Sequence, residues 1–147
     1  MATAHDVAAY ILRHSGPVSA MKLEKLVYYC QAWSLVWDDR PLFDDEIQAW
    51  ANGPVVPVLY EKHRGKFSVE SWPDGDPDAL DETAVETVDQ VLDAYKPHNA
   101  QFLSDLTHRE APWRDARCGI PDGERGECEI TKESLMEYYS SLPPQVR

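Results

Sequence analysis

Residues 22–60 decide the fold and read KLEKLVYYCQAWSLVWDDRPLFDDEIQAWANGPVVPVLY. In the first half, one set of apolar side chains recurs at helical spacing, and further apolar side chains fill the other faces of the same helix. The first set is Leu23, Leu26, Val27, Cys30, Trp33 and Trp37, and the second is Tyr28, Tyr29, Ala32, Leu35 and Val36. A helix that is apolar nearly all round cannot expose any of its faces to water without a cost in free energy. The sequence therefore predicts a central helix with other helices packed around it.

Chain length and composition predict one compact domain. With 147 residues, a chain can bury roughly 68–70% of its unfolded surface around a single core. The contents of 43% hydrophobic and 27% charged residues are ordinary for a globular protein. We predict a mainly α fold, namely a single compact helical domain over residues 1–147 around the central helix, with at most a few short strands.

Net charge and cysteine usage restrict the partners and the compartment. A formal charge of −12 disfavours binding to nucleic acids and to anionic membranes, and it favours basic partners. The cysteines form an odd set of three, Cys30, Cys118 and Cys128, which suits free thiols in a reducing compartment. No signal peptide opens the chain, and the longest apolar run is well short of the ~20 residues that span a membrane. We expect a soluble, cytoplasmic protein.

The first half of the chain contains several further elements. A helix over 4–14 is capped by Thr3, and Ser19 caps the central helix. A short strand or extended segment is predicted at 47–50, before an Asn52-Gly53-Pro54 turn. Pro54 can begin another helix, through about residue 64, with Val55, Val58 and Leu59 directed inward. Residues 65–77 then read as a surface loop anchored by Phe67 and Trp72.

The second half alternates helices and loops. Asp81 caps a helix that ends at 96–97, and Asn99 caps a short helix over 100–108. Residues 111–113 bend the chain, and residues 118–129 form a loop with a short strand near its end. Thr131 caps the last helix.

A run of acidic side chains marks residues 74–93, which contain eight acids and no base. Such a run is either a solvated face that keeps the protein soluble or a docking strip for a basic partner. The residues of the second alternative, called the acidic strip below, are Asp81, Glu82, Glu86, Asp89 and Asp93.

Few residues indicate catalysis. His108 and Glu110 match the H-x-E of zinc deaminases, but the P-C-x-x-C that supplies the other ligands is missing. A structural role for His108 at the bend before Trp113 is therefore favoured over a metal-dependent enzyme. Neither a G-x-S-x-G elbow nor a glycine-rich phosphate loop is present. Lys22 and Lys25 are either solvated or partly buried in a pair with Glu46 or Glu110.

A long ordered set of motifs resembles the Panacea domain family, which includes phage-associated GepA-like and SocA-like proteins. The first set is Met21 to Tyr29, Gln31, Trp33, Pro41-Leu42-Phe43, Ile47, Ala49-Trp50, Gly53-Pro54-Val55, Pro57 and Tyr60. The second set is Leu106-Thr107-His108, Glu110 and Pro112-Trp113. The resemblance covers nearly the whole chain.

The resemblance implies a helical antitoxin that neutralises a toxin by direct protein binding, with no enzymatic activity and no cofactor. An alternative from the same family is an adaptor that delivers a toxin to a ClpXP-type protease. The expected partners are a cognate toxin with a basic surface, such a protease, and a second copy of the chain. The motif residues that could contact a partner are Lys22, Lys25, Tyr29, Trp33, Trp50, Asn52, Gly53, Pro54, Val55, His108, Glu110 and Trp113. For Trp50 we favour a place in the core, because aromatic side chains bury large areas.

Overall fold

The computed structural model describes residues 1–121 and 123–143, and this part of the chain is mainly helical, as predicted. Its α-helices are α1 (Ala4–Ser15), α2 (Ala20–Trp37), α3 (Pro57–His63), α4 (Glu82–Tyr95), α5 (Ala100–Arg109), α6 (Ala111–Ala116) and α7 (Lys132–Ser140), with a 3-10 turn at Pro77–Ala79. The short strands are β1 (Val18–Ser19), β2 (Gln48–Trp50), β3 (Gly53–Val55) and β4 (Ser68–Val69). No helix in these described ranges is both long enough and apolar enough to cross a membrane.

Side-chain caps fix where the helices begin, and each predicted cap is confirmed. Thr3 and Asp6 form a complete capping box at α1, which satisfies two backbone donors reciprocally. The other four caps accept a backbone N–H from the first turn of α2, α4, α5 and α7, and they are Ser19, Asp81, Asn99 and Thr131. A cap of this kind stabilises its helix by about 1 kcal/mol.

Helix α2 lies at the centre of the fold, as its apolar sequence predicts. It packs against α1, α4, α5, α7 and β3, and every residue from 23 to 35 is buried. Full burial stabilises the fold by about 1.5–3 kcal/mol for each large apolar side chain. The same helix also buries four polar side chains, namely Glu24, Lys25, Gln31 and Ser34.

Two small antiparallel sheets hold the connections around α2. Strand β1 pairs with β4, and β2 pairs with β3 in a hairpin that aligns Gln48 with Val55. The predicted strand at 47–50 is therefore confirmed, although Gly53 and Pro54 belong to β3 and the turn lies at 51–52. Near the end of the 118–129 loop, where a short strand was predicted, Glu129 forms an isolated β-bridge with Gln48 and no strand is assigned among the described residues of the loop. Asp122 of that loop lies outside the described residues.

Two predictions around α3 are wrong. The helix begins at Pro57, because Pro54 is in β3 and Val56 is the N-cap. Either proline could supply the first helical position, where the missing N–H is not needed. The later start leaves Val58 with 37% of its surface exposed, whereas Leu59 is buried.

The loop anchor and the bend also differ from the predictions. Trp72 is buried, but 87% of Phe67 is exposed. The backbone of Phe67 anchors the loop, since its carbonyl accepts the Ala20 N–H at 2.9 Å. Residues 111–113 form the first turn of α6, where Pro112 is tolerated because the first-turn N–H groups need no helical partner.

Candidate functional site

Most of the motif residues named from the sequence lie inside the protein. The buried members are Lys25, Tyr29, Trp33, Gly53, Pro54, Val55, Glu110 and Trp113. Lys22, Trp50 and His108 are partly exposed, and Asn52 is exposed. Trp50 is half-buried, so its side chain lies only partly in the core, where we predicted it. The buried motif residues form part of the interior of the fold. A buried side chain cannot contact a partner of the folded protein.

A buried polar cluster joins the start of α2 to α3. Glu24 Oε1 accepts the Val56 N–H at 2.9 Å, and Glu24 Oε2 is hydrogen-bonded to His63 Nε2 at 2.7 Å. Both side chains are almost completely buried. Buried polar groups need such partners, since an unpaired one costs about 1–3 kcal/mol. The cluster therefore fixes α3 against α2.

Lys25 is a buried cation with one hydrogen bond to the residues that the structure describes. Its Nζ donates to the Pro54 carbonyl at 3.1 Å, and 1% of the residue is exposed. Burial lowers the pKa of Lys25 to about 8, against the opposing attraction of Glu24. The predicted pairing of Lys22 or Lys25 with Glu46 or Glu110 is not formed, because Lys22 Nζ donates to the Lys96 carbonyl and Glu110 is held by tyrosines.

Gly53 explains part of the Gly-Pro-Val motif. Its φ of +122° is a conformation that side-chain-bearing residues rarely adopt. A Cβ at this position would lie 2.7 Å from Lys25 Cε and 3.1 Å from Thr107 Oγ1. Glycine is required here because the hairpin passes directly over the buried lysine.

Glu110 belongs to a second buried cluster, which contains three tyrosines. Tyr29 and Tyr139 both donate to Glu110 Oε1, at 2.7 and 2.8 Å, and the hydroxyls of Tyr28 and Tyr139 lie 2.9 Å apart. Burial raises the pKa of Glu110, and the two tyrosine hydrogen bonds act against that increase. Burial also raises the pKa of Tyr28 and of Tyr139 well above the ordinary value. Glu110 thus connects α2, α6 and α7.

His108 contacts a different set of groups from Glu110. Its ring stacks on Trp113, with centroids 3.9 Å apart and planes at 5°. Trp113 Nε1 in turn donates to the Trp50 carbonyl at 2.8 Å. In residues 1–121 and 123–143, no three side chains among His, Cys, Asp and Glu lie together as metal ligands would.

A cleft of about 560 Å³ opens between the start of α2, the β2–β3 hairpin, α3 and residues 123–127. Trp50 and Tyr60 contribute aromatic rings, 4.8 Å apart at 67°. The charged residues and the histidine on its walls are Glu24, Lys25, His63, Arg64, Lys66, Arg125 and Glu127, and Asn52 adds an amide. Sequence reasoning did not find this cleft, because its residues come from four separate segments. The available signal was the charged pair at 24–25 inside an otherwise apolar helix.

The acidic strip lies on the outside of α4, and two of its five residues have partners within the protein. Asp81 pairs with Arg40 at 2.7 Å, and Asp89 accepts the Tyr10 hydroxyl at 2.7 Å. The other three, Glu82, Glu86 and Asp93, are exposed and form no side-chain hydrogen bond or ion pair with the residues that the structure describes. Spacings of four and seven place these three on one face of the helix.

Comparison with known proteins gives the class of the chain. A family model described as "Antitoxin SocA-like, Panacea domain" matches residues 23–114, from α2 to α6. The chain belongs to this family, as the sequence motifs predicted. It is also 43% identical over 44 residues to "Antitoxin SocA" of Caulobacter vibrioides (strain NA1000 / CB15N), a match that covers 30% of the chain and 23% of that protein. No solved structure matches the chain.

Proposed function

We propose that this protein is an antitoxin that neutralises a cognate protein toxin by binding it directly, in a fixed ratio and without a chemical reaction. The observation that carries the proposal is the match of residues 23–114 to an antitoxin family. The structure adds a reason for a binding role, since the motif residues build the interior and leave the outer helix faces free for contact. Glu110, the one carboxylate considered for catalysis, is buried against two tyrosines.

The surface that we assign to the toxin includes the exposed acids of α4. Glu82, Glu86 and Asp93 present three carboxylates on one helix face, within a protein of net charge −12. Surface charge of this kind attracts a basic partner over about 8 Å in physiological salt and acts mainly on the association rate. A toxin with a basic contact surface fits this arrangement.

A titration tests whether neutralisation is stoichiometric. The toxin would be the product of the neighbouring open reading frame, and the inhibited process would be measured as purified antitoxin is added. A binder restores the process in proportion and completes it at a small integer ratio. Full protection at a small fraction of the toxin concentration, lost in Glu110→Gln, would establish a catalyst and contradict the proposal.

Toxin abundance in cells separates occlusion from delivery to a protease. A protein that only covers its toxin leaves the toxin level unchanged while growth recovers. A protein that acts as an adaptor for a ClpXP-type protease lowers the toxin level, and the decrease disappears in cells without that protease. A protease-dependent decrease in the toxin level would contradict direct neutralisation and establish the adaptor function instead.

Charge-neutral variants test the assigned surface. The strip variant combines Glu82→Gln, Glu86→Gln and Asp93→Asn and leaves Asp81 and Asp89 in place, because those two have internal partners. The matched control neutralises three exposed acids elsewhere, with Asp44→Asn, Glu61→Gln and Glu70→Gln. Both variants change the net charge equally and should melt like the wild type. We expect slower toxin association, with a weaker salt dependence, for the strip variant alone. Equal association rates for the two variants would exclude the strip as the contact surface.

A further inference from the structure

We propose that the cleft between α2, the β2–β3 hairpin and α3 binds a mononucleotide, with the phosphate on Arg64 and Lys66 and the base against Trp50 and Tyr60. This proposal is independent of the antitoxin function and concerns the protein alone. The sequence contains no phosphate loop, so the site would consist of side chains that only the fold brings together.

The charge of the cleft is opposite to that of the whole protein. Among the residues that the structure describes, four Lys or Arg side chains line the cleft, namely Lys25, Arg64, Lys66 and Arg125, whereas two acids do so, Glu24 and Glu127. Arg64 and Lys66 are exposed, and neither forms an ion pair with a residue of ranges 1–121 or 123–143. Arg125 on the opposite wall pairs with Glu127 at 2.9 Å, but that pair is solvent-exposed and therefore weak. The rim thus offers cations that no carboxylate within the described ranges neutralises firmly.

The shape of the cleft fits a flat ring with an attached anion. Its volume of about 560 Å³ lies within the range of about 300–1,000 Å³ that is typical of small-molecule sites. Trp50 and Tyr60 are half-buried, so ring surface remains available on its wall. Nucleic-acid bases of every kind stack on such side chains.

The inner wall is rigid and polar. Glu24 and His63 tie α2 to α3, and both are at least nine-tenths buried. Lys25 beside them uses one of its three N–H donors, on the Pro54 carbonyl. A preorganised wall lowers the entropy cost of binding. An acidic protein segment is disfavoured as the occupant of the cleft. The net charge of −12 repels a large acidic partner more strongly than a small anion.

Isothermal titration calorimetry with commercial ligands tests the proposal. The probes are AMP, GMP, CMP and UMP, with adenosine, ribose 5-phosphate and the acidic tripeptide Glu-Trp-Glu as comparisons. We expect at least one nucleoside monophosphate to bind, and adenosine and ribose 5-phosphate each to bind at least tenfold more weakly than that nucleotide. Binding should also weaken with added salt. Failure of all four nucleotides to bind, or tighter binding of the peptide than of any nucleotide, would overturn the proposal.

Variants locate the binding in the cleft. The double variant Arg64→Gln with Lys66→Gln should weaken nucleotide binding at least tenfold, and Trp50→Leu should weaken it while keeping an apolar wall. Arg109→Gln removes an exposed cation outside the cleft and serves as the control. Melting curves confirm that each variant is folded. A nucleotide affinity that is unchanged in the double variant, or equally reduced in the control, would contradict the assignment.

Discussion

Replacing Lys25 by methionine should change how the stability of the protein depends on pH. Methionine is an unbranched side chain one heavy atom shorter than lysine, so it fills most of the same space and removes the charge. The ordinary lysine pKa of 10.5 is lowered to about 8 in the folded protein. Between these two values the unfolded chain holds a proton that the folded protein has released. The free energy of unfolding of the wild type therefore rises with pH through this window, and the variant lacks that contribution.

The magnitude follows from the size of the shift. A change from 10.5 to about 8 corresponds to a total of about 3 kcal/mol, at roughly 1.4 kcal/mol for each pKa unit. Between about pH 7 and about pH 9.5 the wild type should gain about 2 kcal/mol of stability relative to the variant. Below about pH 7 the difference should be constant, because the lysine is protonated in both states.

Urea unfolding at several pH values provides the measurement. The raised pKa values of Cys30 and of the buried tyrosines affect both proteins and cancel in the difference. Lys22→Met is the matched control one turn earlier on α2, since Lys22 is partly exposed and its pKa is lowered less far. Parallel curves for the wild type and Lys25→Met would refute the assignment of a depressed pKa to this lysine.

Three further substitutions have defined expectations in urea unfolding. Gly53→Ala should lower the stability by about 1–3 kcal/mol, because a strained backbone and a clash with Lys25 add together; a neutral effect would contradict the close approach. Tyr29→Phe removes one of two hydrogen-bond donors to buried Glu110 and should lower the free energy of unfolding by about 1–3 kcal/mol. An unchanged stability would contradict a stabilising Tyr29–Glu110 hydrogen bond. Phe67→Ala should stay within about 0.5 kcal/mol, since the ring is exposed; a large loss would show hidden packing.

The starts of the helices could be read from the sequence because they depend on local chemistry. Thr3, Ser19, Asp81, Asn99 and Thr131 each act on a backbone N–H within three residues. Such bonds depend little on the rest of the fold. The position of α2 was predictable for a related reason, since an apolar helix has one environment in which it is stable.

The start of α3 could not be read in the same way, because two prolines compete for it. Pro54 and Pro57 have the same local preference for a first helical turn. Tertiary contacts determine where α3 begins, because Glu24 accepts the Val56 N–H and β3, which contains Pro54, pairs with β2. A choice between equal local signals is settled by tertiary contacts that single residues do not reveal.

The candidate site was the least predictable part of the molecule. Motif positions such as Lys25 and Glu110 were interpreted as contacts for a partner, and burial places them in the interior. A recurring motif does not distinguish a residue that recognises a partner from one that satisfies a buried group. The cleft was missed for the complementary reason, since Arg64 and Arg125 are distant in the chain and line the same cleft only after folding.

The Tyr28–Tyr139 contact sets the order in which this protein can complete its core during synthesis. The two residues are 111 positions apart, and α7 lies beyond residues 23–114, which match the family model. At about 5–20 residues per second, a ribosome needs on the order of ten seconds to add α7 after α2. Throughout that time, the face of α2 that α7 covers remains open on the nascent chain. A newly made molecule is therefore open to chaperones and proteases before its core is closed.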